Sequence, residues 1–236
     1  MTGRQQCCPF CFFAFGAEMR REGMPIQISD AIGAVMTERL QQLQDFIDAT
    51  EAAAKARGPT LPIVTPLADK IFSALSDLHD HDPDHAPQRQ PVCEHLENAY
   101  SQASGAPDPV PEMAKAFAAL EPYLNWSPKP GTENEPNGFF QNHANASIVG
   151  VGGLEVRDDV RIGTSLVAPH QYYPRHNHPP EEFYIVLSPG AWMHEDGPFQ
   201  ELQAGDLFHN TPYVWHAMQA GETPLLAVWC LWTKDA

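Results

Sequence analysis

Positive charge is scarce in this sequence. Lys and Arg together number 14 against 30 Asp and Glu, which sets the formal net charge at −16, and the basic residues are scattered. Such a chain repels phosphate backbones and anionic lipid surfaces, so nucleic acid and membranes are excluded as partners. Long apolar runs are missing as well. The longest uncharged, mostly apolar stretch, Cys7 to Ala17, is eleven residues, about half of the ~20 that a membrane-spanning helix needs. The five cysteines are odd in number, with Cys7, Cys8 and Cys11 crowded together and Cys93 and Cys230 far away. That spacing gives no disulfide framework, and a reducing cytoplasm is the expected compartment. Cys8-Pro9-Phe10-Cys11 matches a redox C-x-x-C, but lacks the preceding strand that such chemistry needs. Pro9 also interrupts the apolar run, and no clear small-x-small cleavage site follows it. Residues 1–23 are therefore expected to be a poorly ordered extension rather than a signal peptide.

What is present divides the chain in two. From Ser29 or Asp30, the apolar positions Ile32, Val35, Met36, Leu40, Leu43, Phe46 and Ile47 recur at three- and four-residue steps until Gly58-Pro59, which predicts a long amphipathic helix. Thr65-Pro66 opens a second helix with Leu67, Ile71, Leu75 and Leu78 on one face. Val92, Leu96, Ala99 and Tyr100 mark a third, and Pro111 to Tyr123, carried by Met113, Phe117 and Leu120, a fourth. Residues 24–124 thus read as a helical region without internal repeats. Between its helices, His79, His81 and His85 alternate with Asp80, Asp82 and Asp84, with His95 further on. Pro83 and Pro87 give this stretch no rigid scaffold, and it is expected to be a solvated acidic loop.

After Trp126 the character changes to turn sequence and short β-branched or aromatic runs. Strands are predicted at Ser147 to Val151, Val160 to Val167, Glu182 to Leu187, Gly190 to His194, Asp206 to His209 and Pro224 to Trp232. Many short strands with no helices between them predict an antiparallel sandwich or barrel over 125–236. The fold class is α+β.

The chemistry concentrates in Tyr172-Tyr173-Pro174-Arg175-His176-Asn177-His178-Pro179-Pro180-Glu181-Glu182-Phe183-Tyr184. In extended chain His176 and His178 share a face, as do Glu182 and Tyr184. Two imidazoles and a carboxylate supply three ligands for a divalent transition metal, and His216, 34 residues after Glu182, is the natural fourth. His-x-His-x-x-x-Glu followed by a distant Gly205, Pro212 and His216 resembles the paired metal motifs of the cupin superfamily. The pattern departs from that family at His170, where a glycine is usual, at Gly190 and Pro212, each one place off, and at Ala220, where the second motif ends in Asn. The resemblance implies a double-stranded β-helix, and often a homodimer through barrel edges.

More narrowly, Tyr-Pro-x-His-x-His-Pro-x-Glu-Glu-x-Tyr resembles the cupin-type dimethylsulfoniopropionate (DMSP) lyases, as does the helical region ahead of the barrel. That resemblance implies a metal held by His176, His178, Glu182 and His216, Tyr184 as catalytic base, and Tyr173 as a substrate-placing residue. The substrate is a zwitterion, with a carboxylate at one end and a dimethylsulfonium two carbons away. Its elimination needs a Lewis acid on the carboxylate and a base at the α-carbon. A nearby cation also lowers the pKa of a phenol, and loss of dimethyl sulfide leaves acrylate. The sulfonium suits aromatic faces, and Trp192, Trp215, Trp229, Trp232 and Tyr213 all fall in the last 45 residues. The donor set serves Fe, Mn, Co, Ni or Zn alike. Two rival readings use the same ligands: another metal cupin enzyme, such as a dioxygenase or isomerase, and a non-catalytic small-molecule-binding cupin. His143 and His209 remain open between partners of the ligands and ordinary polar residues.

Overall fold

A computed structural model describes residues 38–234. The expected extension of 1–23, the Cys7–Cys11 cluster and the helix start at Ser29 lie outside them. Helix α1 (Gln41–Arg57) buries Leu43, Phe46, Ile47, Thr50, Ala53 and Ala54 along one stripe and carries Lys55 and Arg57 in its last turn, where cations oppose the helix dipole. Helices α2 (Val64–Ala74), α3 (Leu96–Ala103) and α4 (Val110–Leu120) follow. The third and fourth predicted helices each carry a 3-10 turn, at Pro91–His95 before α3 and at Glu121–Tyr123 after α4. Pro122 lacks the N–H that would continue α4. No helix among the described residues is long and apolar enough to cross a membrane.

The long first helix departs from its prediction at its front end, because residues 38–40 are not helical. Arg39 is turned away instead. Its guanidinium reaches Glu155 Oε2 at 2.6 Å and the Leu75 carbonyl at 2.8 Å. Arg157 meets the other oxygen of Glu155 at 3.1 Å and also pairs with Asp159. The network is almost wholly excluded from water, and breaking one member of such a set is far costlier than the set's net gain. That cost opposes helical continuation through Arg39.

The strands are β1 (Trp126–Ser127), β2 (His143–Val149), β3 (Val160–Val167), β4 (Tyr172–His176), β5 (Glu181–Ser188), β6 (Gly190–His194), β7 (Gln200–Leu202), β8 (Leu207–Asn210), β9 (His216–Gln219) and β10 (Leu225–Trp232). They form two antiparallel sheets, one ordered β1-β2-β3-β10-β5-β8 and the other β4-β9-β6-β7. Predicted β3 and β6 coincide with the observed strands. The very short β1, β7 and β9 have no signal of their own in the sequence, because a run of two to four residues is too brief for alternation to register.

Alternation along β5 and β10 explains the architecture. Phe183, Ile185 and Leu187, with Leu226, Val228 and Cys230, join the core shared with the four helices. Tyr184 and Val186, with Leu225 and Ala227, point the other way, into a second cluster completed by Tyr173, Trp192 and Met218 of the smaller sheet. The six-stranded sheet is thus buried on both faces, which is why these strands read as continuous apolar runs. The interior between the sheets is that of a double-stranded β-helix, the cupin architecture. Gly205, at φ +93, turns the chain into β8 in a conformation that favours glycine. His170 adopts φ +63, which accounts for the glycine usual at that place in cupin motifs.

Candidate functional site

Six strands bring the site together at one end of the barrel. His176 ends β4 and pairs directly with His216 of β9, which in turn pairs with His194 of β6. In the larger sheet Glu182 of β5 faces Asn210 of β8, and Tyr184 faces Trp229 of β10. His178 lies in the turn between β4 and β5. Tyr213 anchors that turn, donating its N–H to the His178 carbonyl at 2.9 Å from a left-handed backbone at φ +62.

His178, Glu182 and His216 form a group whose ligand atoms all lie within 4.8 Å of one another. His178 Nε2 is 3.1 Å and His216 Nε2 3.6 Å from Glu182 Oε2. His176 is not one of that group of three, but its ring centroid is 4.1 Å from that of His216. Each imidazole is oriented from behind. Nδ1 of His176, His178 and His216 lies 3.0 Å from the carbonyl of Pro174, Pro180 and Val214 respectively. A carbonyl can only accept, so Nδ1 carries the hydrogen and Nε2 is the nitrogen presented to the site.

The electrostatics suit a cation. His216 Nε2 is fully buried and has no hydrogen-bond partner among the described residues, which is costly unless something else satisfies it. Burial lowers His216, and burial, the His216 ring and Lys129 hold His176 well below its ordinary range. Burial would lower His178 too, but the Glu182 carboxylate more than reverses it, so His178 is raised. Burial would raise Glu182, but hydrogen bonding to His178 and the adjacent imidazoles leave it lowered and anionic. His178 Nε2 and the Glu182 carboxylate thus face each other at 3.1 Å. His178, His216 and Glu182 fit a divalent ion, with two oriented imidazole nitrogens and one carboxylate.

The two tyrosines sit beneath this group. Tyr184 is buried, and burial followed by the Glu182 charge holds its phenol well above 10. Tyr173 is raised to about 12, chiefly by burial, and receives a hydrogen bond from Asn145 Nδ2 at 3.1 Å. Strict alternation would put Tyr173 and His176 on opposite faces of β4. A bulge between them, three residues against two on β9, brings the Tyr173 ring to 4.9 Å from that of His176.

Of the predicted aromatics, Trp192 and Trp229 line the barrel interior, with the Trp192 ring 6.4 Å from Tyr184. Tyr213 and Trp215 are exposed at the rim. Trp232 packs against the helix-covered core under Lys70, away from the site.

A profile of the dimethylsulfoniopropionate lyase family matches residues 65–227. This chain belongs to the DMSP lyase family. The DMSP lyase DddQ of Ruegeria pomeroyi is 31% identical over 99 residues, which are 41% of this chain and 48% of that protein. The match thus spans about half the length of this curated relative. The crystal structure of DddQ from the same organism superposes with a TM-score of 0.65 at 23% identity, covering 82% of this chain and 92% of that one. A structure described with the DMSP lyases RdDddP and RnDddQII gives 0.62 at 18% identity, covering 83% and 95%. These likenesses show that the chain shares the fold of those structures.

Within the family match, sequence reasoning passed over several residues. Asn210 donates to Glu182 Oε2 at 2.6 Å, and its Oδ1 lies 2.8 Å from His194 Nε2, so the His194 side chain fixes the amide that fixes the carboxylate. Only the β5–β8 register reveals this. Of the two histidines left open, His209 pairs with Glu181 at 2.7 Å and belongs to the strand face opposite Glu182. His143 lies inside. Its Nε2 accepts the Lys129 N–H at 2.9 Å, its Nδ1 donates to the Phe139 carbonyl, and its ring stacks on Phe139 at 3.6 Å.

Both ring nitrogens of His143 are thus satisfied in the neutral form, and burial lowers its pKa from 6.5 to about 4. A folded pKa below the unfolded one means the unfolded chain binds the proton first. Stability from this group is therefore complete above about 6.5 and is lost as pH falls toward 4, by roughly 3 kcal/mol in all. Urea unfolding across that range is expected to show this slope in the wild type and its loss in His143→Gln. A His143 imidazole that titrates near 6.5 by NMR contradicts it.

Proposed function

We propose that this protein cleaves DMSP to dimethyl sulfide and acrylate by base-promoted β-elimination, acting as a carbon–sulfur lyase of the dimethylpropiothetin dethiomethylase type. The observation that carries the reading is the placement of the Tyr184 phenol on the same strand face as Glu182, buried beside a group of imidazoles whose Nδ1 atoms are all tied to backbone carbonyls. In this reading His176, His178, Glu182 and His216 hold one divalent transition ion, with Zn, Mn, Fe, Co and Ni all compatible with the donors. Such an ion would supply Lewis acidity toward the substrate carboxylate and lower the pKa of a phenol beside it.

The chain's own residues do the rest. Tyr184 Oη takes the α-proton, the C–H electron pair becomes the new carbon–carbon double bond, and the C–S bond breaks with its pair leaving on sulfur. Tyr173, held by Asn145 and packed against Phe139 and His143, forms a fixed wall that places the substrate. Trp192 and Trp229 offer aromatic faces to the sulfonium. The barrel carries the chemistry, and helices α1 to α4 cover its outer side.

The test is headspace gas chromatography. Metal-analysed protein mixed with DMSP is expected to release dimethyl sulfide, and chelator treatment is expected to abolish that release. A metal-loaded sample that releases none rejects the lyase reading and leaves the fold intact.

A further inference from the structure

We propose that Lys129 receives the carboxylate of the ligand at the barrel mouth and so decides which end of a zwitterionic substrate enters next to the His/Glu group. The identity of the substrate rests on the lyase reading above, whereas the anion site itself does not.

Lys129 sits in the Ser127-Pro128-Lys129-Pro130-Gly131 loop between β1 and β2, flanked by two prolines whose rings fix φ on either side. Its N–H donates to His143 Nε2 at 2.9 Å and its carbonyl accepts from Thr132 Oγ1 at 2.6 Å. Gly131, at φ +80, turns the chain back immediately afterwards. Few surface lysines are held so firmly at the backbone, and this rigidity is spent on a side chain that points inward. Nζ stands 5.3 Å from the centroid of the Tyr173 ring, and that ring lies 4.9 Å from His176. The charge acts on Glu182, His176 and His178 alike.

Among the described residues no carboxylate forms an ion pair with Lys129. Burial lowers the pKa of this half-buried ammonium, and the more distant charges of Glu182 and Glu135 only partly offset the lost hydration. An arriving carboxylate supplies the missing partner. The same charge repels a sulfonium, so the two ends of the zwitterion are sorted: the carboxylate toward Lys129 and the His/Glu group, the sulfonium toward the aromatic wall. Lys129 is in this sense a specificity-determining residue. Tyr173 lies between it and the histidines, which gives that ring a second role as the support of the ammonium.

The experiment uses the full chain in three forms: wild type, Lys129→Met, which keeps the apolar stem over Tyr173, and Lys129→Arg, which keeps the charge. Thermal unfolding confirms that each is folded. In the metal-loaded proteins, Lys129→Met is expected to raise KM for DMSP by about 10- to 100-fold, the range set by losing a hydrogen bond to a charged group, with kcat changed only a few-fold. Lys129→Arg is expected to recover most of that loss. Independently, calorimetry on metal-depleted protein is expected to show that wild type prefers propionate to propionamide and that Lys129→Met binds the two equally. An unchanged KM in Lys129→Met overturns the proposal, as does a metal-depleted wild type that does not distinguish propionate from propionamide. If wild type releases no dimethyl sulfide, the lyase reading fails, and the propionate comparison still decides the role of Lys129.

Discussion

Tyr184→Phe is expected to lower dimethyl sulfide release by about a thousandfold, within the 10²–10⁴ range typical of a positioned general base, while metal content stays at the wild-type level. A thousandfold corresponds to about 4 kcal/mol of barrier. The substitution removes one oxygen from a ring that is 2% exposed and otherwise packed against Trp192, so it leaves the barrel interior filled. Glu182 keeps its hydrogen bond from Asn210 at 2.6 Å and its neighbour His178 at 3.1 Å, and the stability change is expected to stay near 1 kcal/mol. Steady-state release measured beside metal analysis and thermal unfolding separates the two quantities. Near-full activity in this variant removes Tyr184 from the chemistry.

The second large effect belongs to His216. Its side chain is wholly buried and its Nε2 has no hydrogen-bond partner among the described residues. His216→Ala is therefore expected to lower affinity for the divalent ion by more than about 100-fold, since even residues that merely orient a ligand account for 10- to 100-fold. The consequence extends to stability. An ion that binds only the folded chain stabilises it by about 4 kcal/mol at a thousandfold excess over its dissociation constant. Adding metal to depleted wild type is expected to raise the unfolding temperature clearly, and the same addition to His216→Ala to raise it little. Equal rises in both proteins place the ion elsewhere. Because each imidazole is held by a separate carbonyl and Glu182 by the Asn210 amide, the remaining donors are expected to keep their orientation in the variant, which ties the loss to His216 itself.

Much of the architecture was legible beforehand because it depends on local periodicity. The 3.6-residue recurrence in α1 reflects a stripe buried in one core, and the predicted β3 and β6 match the observed strands because their boundaries are set by turn-forming residues. Errors fell where a long-range interaction overrode a local preference. The Arg39–Glu155–Arg157 network keeps residues 38–40 out of the helix that the apolar spacing predicts. The 3-10 turn before α3 likewise takes the place of a helical turn. Trp232 was grouped with the aromatics of the site, but its position on β10 turns it toward the helices.

The sequence by itself singled out the histidines, the glutamate and the tyrosines of the candidate site, though not Asn210 or His194. The histidines, the glutamate and the tyrosines lie between Tyr173 and His216, inside the stretch that the family profile matches. Parity alone also put Glu182 and Tyr184 on one face, because that relation is fixed by the pleat of a single strand. Relations between strands were decided only by the tertiary structure. The pairing of β5 with β8 puts Asn210 on Glu182, the bulge in β4 brings Tyr173 to the same side as His176, and closure of the two sheets carries the β1–β2 loop, with Lys129, over the Tyr173 ring. Register, bulges and loop placement depend on which surfaces are buried together, and residues distant in the chain acquire that information only when both sheets have formed.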